Sequence, residues 1–149
     1  MLLSDQSRIF TVEYKEISKK TIGHLYSAHS SIRSSDLDPK LIALAELYVS
    51  QINGCAYCCA FHSKELRDFG IAQEVIDQIP GYKHSKAFTE KQKVVLEFAS
   101  AITSLNDPKQ IEVTRESLAQ HFSEKEIVDL TASISLMGAL NRLRITLGD

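Results

Sequence analysis

The sequence predicts an all-α protein, and three observations carry that reading. No stretch sustains the period-two alternation of apolar and polar residues that a half-buried strand needs. Apolar residues instead recur every three to five positions, the spacing that lines one face of a helix. The chain of 149 residues holds only six glycines and three prolines, and most of them punctuate the periodic stretches. About seven helices with short connections, forming one domain over residues 1–149, are expected.

Taken in order, residues 1–10 read as a loose or strand-like lead-in. A first amphipathic helix is expected over about 11–32, on Val12, Ile17, Ile22, Leu25, Ala28 and Ile32. Gly23 inside it costs roughly 1 kcal/mol against Ala. A turn follows, in which Asp38 suits the N-cap and Pro39 the first helical position. The second helix, about 39–52, is apolar on nearly all sides and so reads as buried and central. Glu46 is its only acidic residue.

Asn53-Gly54 ends that helix, Gly being the usual residue beyond a helix C-terminus. A third helix begins near Cys55 and stops at Gly70. A short fourth covers about 71–79 and stops at Pro80-Gly81, with a polar loop to Phe88. Thr89 and Gln92 have the spacing of a capping box and open a fifth helix to about Leu105. Asn106-Asp107-Pro108 breaks it. A sixth helix is expected over about 111–120. Ser123 and Glu126 form a second capping box and launch a long last helix to about Leu147.

Hydrophobic content of 44%, charged content of 24% and a net charge of −2 are ordinary for a globular protein. They offer no general attraction to nucleic acid or to an anionic membrane. No apolar run approaches the length of a membrane span, and Met1-Leu2-Leu3-Ser4-Asp5 lacks the features of a signal peptide. A cytoplasmic location is therefore expected. In that compartment a C-x-x-C is more often catalytic or metal-binding than a structural staple.

All three cysteines fall within Gln51 to His62. Cys55 and Cys58 are three apart, so a helix places them on one face about one turn apart. Cys58 and His62 are four apart on the same face, within direct hydrogen-bonding reach of each other. Cys55 and His62 are roughly 10 Å apart along the axis. The first turn of a helix stabilises a thiolate and lowers thiol pKa. Helix position favours Cys55 as the more acidic thiol, whereas the adjacent base favours activation of Cys58. Inert packing is the plain alternative, since Cys is often a small buried hydrophobe. A zinc site is another, but Cys55, Cys58 and His62 supply three ligands where a structural site normally uses four. Cys59 points about 100° away from Cys58 and reads as a core or bystander thiol.

The run Ser50-Gln51-Ile52-Asn53-Gly54-Cys55-Ala56-Tyr57-Cys58, then His62 and Lys64-Glu65-Leu66-Arg67, resembles the small relatives of alkylhydroperoxidase D. These belong to the carboxymuconolactone decarboxylase superfamily. The flanks agree: Ser31-Ile32-Arg33 and Leu37-Asp38-Pro39-Lys40 before the motif, Phe122 to Thr131 and Asn141-Arg142-Leu143 after it. The resemblance implies an all-helical fold assembled as a trimer or hexamer. It implies a thiol peroxidase that needs no metal or organic cofactor and is reset by an external dithiol or a protein reductant. Cys58 matches the cysteine that attacks peroxide and becomes a sulfenic acid. Cys55 matches the partner thiol that serves as proton donor and then closes the disulfide, and His62 the histidine of the proton relay.

One position departs from the family. The relay glutamate stands twelve residues before the first cysteine, where this chain has Ala43. Glu46 lies three residues on, about 60° round the helix. It reads either as a shifted substitute or as a salt-bridged or interface carboxylate. Tyr57, at a site where some relatives carry a further histidine, reads as an aromatic packed near the helix start. Asn141 and Arg142 read as helix-packing or subunit-contact residues. His24, His29, His84 and His121 have no chemical partner evident in sequence and read as surface or satisfied residues. Two other functions share these features. One is a disulfide reductase with weak peroxidase activity. The other is a non-redox protein, either a lactone decarboxylase-like enzyme or an oligomeric binding protein.

Overall fold

The computed structural model describes residues 11–148, so the expected lead-in over 1–10 lies outside the described residues. In chain order the helices are α1 (Tyr14–Ile17), α2 (Lys19–Arg33), α3 (Pro39–Asn53), α4 (Ala56–Asp68) and α5 (Gln73–Ile76). A 3-10 segment (Ile79–His84) precedes α6 (Glu90–Ser104), α7 (Pro108–Ala119) and α8 (Glu124–Leu147). No strand occurs among the described residues. The all-α class is as expected, with eight α-helices and one 3-10 segment among the described residues.

The local signals act as their chemistry requires. Asp38 accepts the Lys40 N–H at 2.9 Å with Pro39 at the first position of α3. Both capping boxes form, Thr89 with Gln92 and Ser123 with Glu126. Three boundaries differ from expectation. The first helix breaks at Ser18, whose φ of −119° and ψ of 47° are not helical. Before it, Val12 donates its N–H to the Leu147 carbonyl at 2.8 Å, so the preceding strap is drawn onto the end of α8. The fourth helix is shortened to α5, because Pro80 and a non-helical Gly81 turn the next residues into the 3-10 segment. The sixth starts earlier, at Pro108, because the Asp107 side chain accepts from both Lys109 and Gln110 N–H.

α3 is the central helix, packed against α4, α6 and α8. One side of it, with Ile42, Ala45 and Val49, joins Val95, Phe98, Leu118, Leu130 and Ile134. Another, with Ala43, Leu44 and Leu47, joins Leu66, Ile79, Tyr82 and Leu96. Each large apolar side chain so buried contributes roughly 1.5–3 kcal/mol. A polar seam runs between α3 and α8. Glu46 and Ser50 on α3, and Ser133 and Asn141 on α8, are all buried. Asn141 donates to Ser50 Oγ at 3.1 Å and accepts from Asn53 Nδ2 at 3.1 Å. Arg142, beside it, bonds within its own helix by donating to the Gly138 carbonyl at 2.9 Å.

The seam leads to the α3–α4 corner. Gly54 takes a left-handed conformation, φ 72° and ψ 32°, which glycine adopts without the Cβ penalty. Cys55 then donates its N–H back to the Ser50 carbonyl at 3.0 Å. The chain reverses within two residues, and α4 starts at Ala56.

Candidate active site

Cys55 is the N-cap of α4, and its sulfur accepts the Cys58 N–H at 3.4 Å. It takes the place that serine or threonine usually fills. The two sulfurs are joined in a disulfide, with Cα atoms 5.3 Å apart. Both are buried, Cys55 at 2% and Cys58 at 4% exposure. Cys59 is a free thiol, half-buried against the cluster that contains Leu47 and Leu66, and burial pushes its pKa up.

His62 is buried one turn further along α4. Its Nδ1 lies 3.1 Å from Glu65 Oε1 and 3.4 Å from Glu46 Oε2. Two carboxylates on Nδ1 require that nitrogen to carry the proton, which leaves Nε2 of the neutral ring as the basic atom. Arg33 ties the carboxylates together. Its Nη2 donates to Glu46 Oε2 at 2.7 Å and to Glu65 Oε1 at 2.8 Å, and its Nη1 donates to Glu65 Oε2 at 2.9 Å. Glu46 also accepts from Ser133 Oγ at 3.0 Å and lies 3.3 Å from His29 Nε2.

Burial pushes the Glu46 carboxyl up, but the His29 hydrogen bond and the charges of His62 and Arg33 outweigh it and hold the group low. Glu65 is subject to the same opposition. Burial raises it, yet hydrogen bonds with His62 and Arg33 bring it down to about 2. The Arg33 guanidinium is held in its charged form, since the two carboxylates outweigh its own desolvation. Both acids are therefore carboxylates at neutral pH, and the half-buried Arg33 guanidinium offsets part of their charge.

Cys58, His62 and His29 line one cavity of about 350 Å³. Tyr26, Tyr57, Phe61, Met137 and Leu140 form its apolar wall, and Lys15 and Arg144 add positive charge. Tyr57 and Phe61 stack with centroids 6.3 Å apart, and the Phe61 ring meets His62 edge-on at 5.1 Å. The Arg144 guanidinium sits 3.7 Å from the Tyr57 ring centre, a close cation–π contact.

The residues singled out in sequence thus converge: Cys55, Cys58, His62 and Glu46 meet at the junction of α3 and α4. Glu46 is a salt-bridged carboxylate, paired with Arg33, and it also neighbours His62. Ala43 is fully buried in the apolar cluster with Leu47 and Leu66. Tyr57 is a cavity wall residue, 46% exposed. Of the two readings of His29 the structure shows the satisfied one: its Nε2 lies 3.3 Å from the Glu46 carboxylate. Arg33, Glu65 and Ser133 were not identified as site residues by sequence reasoning. Glu65 was accessible to it, three residues after His62 on one helix face; Arg33, His29 and Ser133 reach Glu46 only through the tertiary fold.

Donor atoms of Glu46, His62 and Glu65 lie within 4.8 Å of one another. The Arg33 Nη2 is already bonded to two of these three. The charge that a metal ion would bring is there supplied by the guanidinium. No helix among the described residues is long and apolar enough to cross a membrane.

A dithiol at the start of one helix, beside a histidine held by carboxylates in an all-helical fold, defines the class of the alkylhydroperoxidase D-like proteins. The model of the carboxymuconolactone decarboxylase family matches residues 22–101, and the chain belongs to that family. The uncharacterized protein YdfG of Bacillus subtilis is 24% identical over 138 residues, 93% of this chain and 94% of its own. Among solved structures, a protein of unknown function from Agrobacterium tumefaciens, named a putative antioxidant defence protein AhpD, aligns with a TM-score of 0.87 at 28% identity. That alignment covers 93% of this chain and 94% of the other. A variant of the debrominase Bmp8, in complex with 2,3,4-tribromopyrrole, shares the fold with a TM-score of 0.73 at 19% identity, over 88% of this chain and 71% of its own.

Proposed function

We propose that this chain is a thiol peroxidase that reduces small hydroperoxides through Cys58 and Cys55. The observation that carries the reading is the Cys55–Cys58 disulfide opening α4, with Cys58 and His62 on the wall of one cavity. The antioxidant description of the Agrobacterium relative supports it.

In the reduced protein, His62 Nε2 takes the proton from Cys58, while Glu46 and Glu65 hold Nδ1–H and stabilise the imidazolium. The thiolate attacks the terminal peroxide oxygen; the S–O bond forms as O–O breaks, and an alkoxide or hydroxide leaves. The Cys55 thiol then attacks the sulfenic sulfur, forms the disulfide and expels water. An external dithiol returns both thiols. No metal or organic cofactor enters these steps. Burial of both sulfurs favours a small peroxide over a protein disulfide as substrate, and a small dithiol as the reductant. A homo-oligomer, trimeric or hexameric, is part of the same proposal and is read by light scattering in solution.

The test is peroxide consumption under excess dithiothreitol by the wild type, Cys58→Ser and Cys55→Ser. Cys58→Ser is expected to lose activity. Cys55→Ser, exposed to peroxide with dithiothreitol removed, is expected to react once and accumulate a sulfenic acid that dimedone traps. Undiminished turnover in Cys58→Ser overturns the proposal.

A further inference from the structure

We infer that the cavity beside Cys58 takes an organic hydroperoxide that carries a carboxylate on a compact apolar body, and that Arg144, helped by Lys15, binds that carboxylate. The inference rests on the peroxidase reading above and names the substrate class of the same site.

Three features of the cavity carry it. The first is size. About 350 Å³ stands at the small end of ligand pockets, which run from roughly 300 to 1,000 Å³. Hydrogen peroxide would leave most of that space without contacts, whereas one ring or a short branched chain fills it. The second is the apolar wall. Tyr26 comes from α2, Tyr57 and Phe61 from α4, Met137 and Leu140 from α8, so three helices present surface to an apolar body. The third is charge. Arg144 and Lys15 line the cavity, and no Asp or Glu among the described residues does. The acids of the site, Glu46 and Glu65, face Arg33 and His62 Nδ1 instead.

Arg144 is the residue that supplies geometry. Its guanidinium lies 3.7 Å from the centre of the Tyr57 ring, and its Nη2 donates to the Tyr26 hydroxyl at 3.3 Å. A stacked face and a hydrogen-bonded edge fix the plane of the fork. A guanidinium so held loses little freedom when it binds, and it meets a carboxylate with paired, charge-assisted hydrogen bonds. The ring it stacks on immediately precedes Cys58 in α4, so the anion site and the sulfur belong to one wall. Lys15, in α1, is exposed. It is a flexible point charge that adds attraction without fixed geometry.

A carboxylate held there leaves the chemistry at Cys58 as described. The hydroperoxide end gives its terminal oxygen to the sulfur, and the alcohol that leaves keeps the carboxylate. The anion is bound equally before and during the O–O step, so it raises kcat/KM through binding.

The test compares two hydroperoxides of one shape. The para-carboxylate and the para-carboxamide of cumene hydroperoxide share the reacting group and differ by one negative charge at pH 7. Their kcat/KM values are measured with excess dithiothreitol in wild type, Arg144→Met, Arg144→Lys and Lys15→Met. The ratio of carboxylate to carboxamide cancels any change in fold or Cys58 reactivity common to both. Wild type is expected to favour the carboxylate by about 10-fold. Arg144→Met is expected to bring the ratio to about two or below, Arg144→Lys to an intermediate value, and Lys15→Met to lower it about two-fold. The wild-type ratio decides independently of how well any variant folds. A wild-type ratio near one, a ratio that Arg144→Met leaves unchanged, or turnover of hydrogen peroxide alone overturns the inference and leaves the peroxidase reading standing. Absence of wild-type turnover with all three peroxides overturns the peroxidase reading, and the substrate class falls with it.

Discussion

Arg33 Nη2 donates to the Glu46 carboxylate at 2.7 Å, where Glu46 is only 1% exposed. The same nitrogen donates to Glu65 at 2.8 Å. A single guanidinium thus pairs with two carboxylates beside His62, one buried and one half-buried. Planar forked geometry suits arginine to this and lysine poorly. The arrangement makes α2 part of the site, although the redox residues all lie on or just before α4.

Removing that guanidinium leaves Glu46 buried with its charge under-compensated. Arg33→Met is expected to lower stability by about 3–5 kcal/mol. Urea denaturation at pH 7, compared with wild type at the same protein concentration, checks this. The double variant Arg33→Met, Glu46→Gln is expected to recover part of the loss, because it removes the orphaned charge.

Acid is expected to weaken the fold through the same carboxylates. The Glu65 carboxyl is held at about 2 against an ordinary 4.5. A depressed carboxylate contributes stability that is complete above the unfolded value and is lost as pH falls through the folded one. The decline therefore runs between about pH 4.5 and pH 2, and Glu46 is shifted in the same direction. Glu65 keeps partial access to water, so its share is about 1–2 kcal/mol after screening. Urea midpoints from pH 6 to pH 2.5 check the slope, and Glu65→Gln is expected to flatten it.

The α3–α4 corner depends on the left-handed Gly54, φ 72°. An L-residue there costs about 1–2 kcal/mol. Gly54→Ala is expected to lose that stability and to slow closure of the Cys55–Cys58 disulfide, because Cys55 follows the corner directly. Thermal denaturation reads the first effect. Thiol titration after a peroxide pulse reads the second.

Restoring a glutamate at the position where the family carries its relay acid is expected to harm this protein. Ala43 is fully buried among Leu47, Leu66 and Leu96. Ala43→Glu would bring a charge into that apolar cluster and is expected to cost several kcal/mol. In the background Glu46→Ala it is expected to leave peroxide turnover unrestored. Turnover recovered by the double variant would show that the two positions share one pocket.

The sequence by itself determined the helical class, the capped helix starts at Pro39, Glu90 and Glu124, and the redox motif. These are local properties. Caps act within three residues, as at Thr89 and Ser123, and the Cys55, Cys58 and His62 faces follow from the pitch of one helix. It also marked Glu46 as anomalous, because a lone acid in an apolar helix is visible in composition. Where local signals were weak, boundaries shifted: Ser18 interrupts the first helix, and Pro80-Gly81 turns the end of the fourth into 3-10. Only the tertiary structure decided the meaning of Glu46. Its partners Arg33, His29 and Ser133 sit 13, 17 and 87 residues away in sequence, on helices whose rotation about α3 no local pattern specifies. A buried carboxylate is tolerated only where donors converge on it, and that convergence belongs to the packing of α2, α4 and α8 around α3.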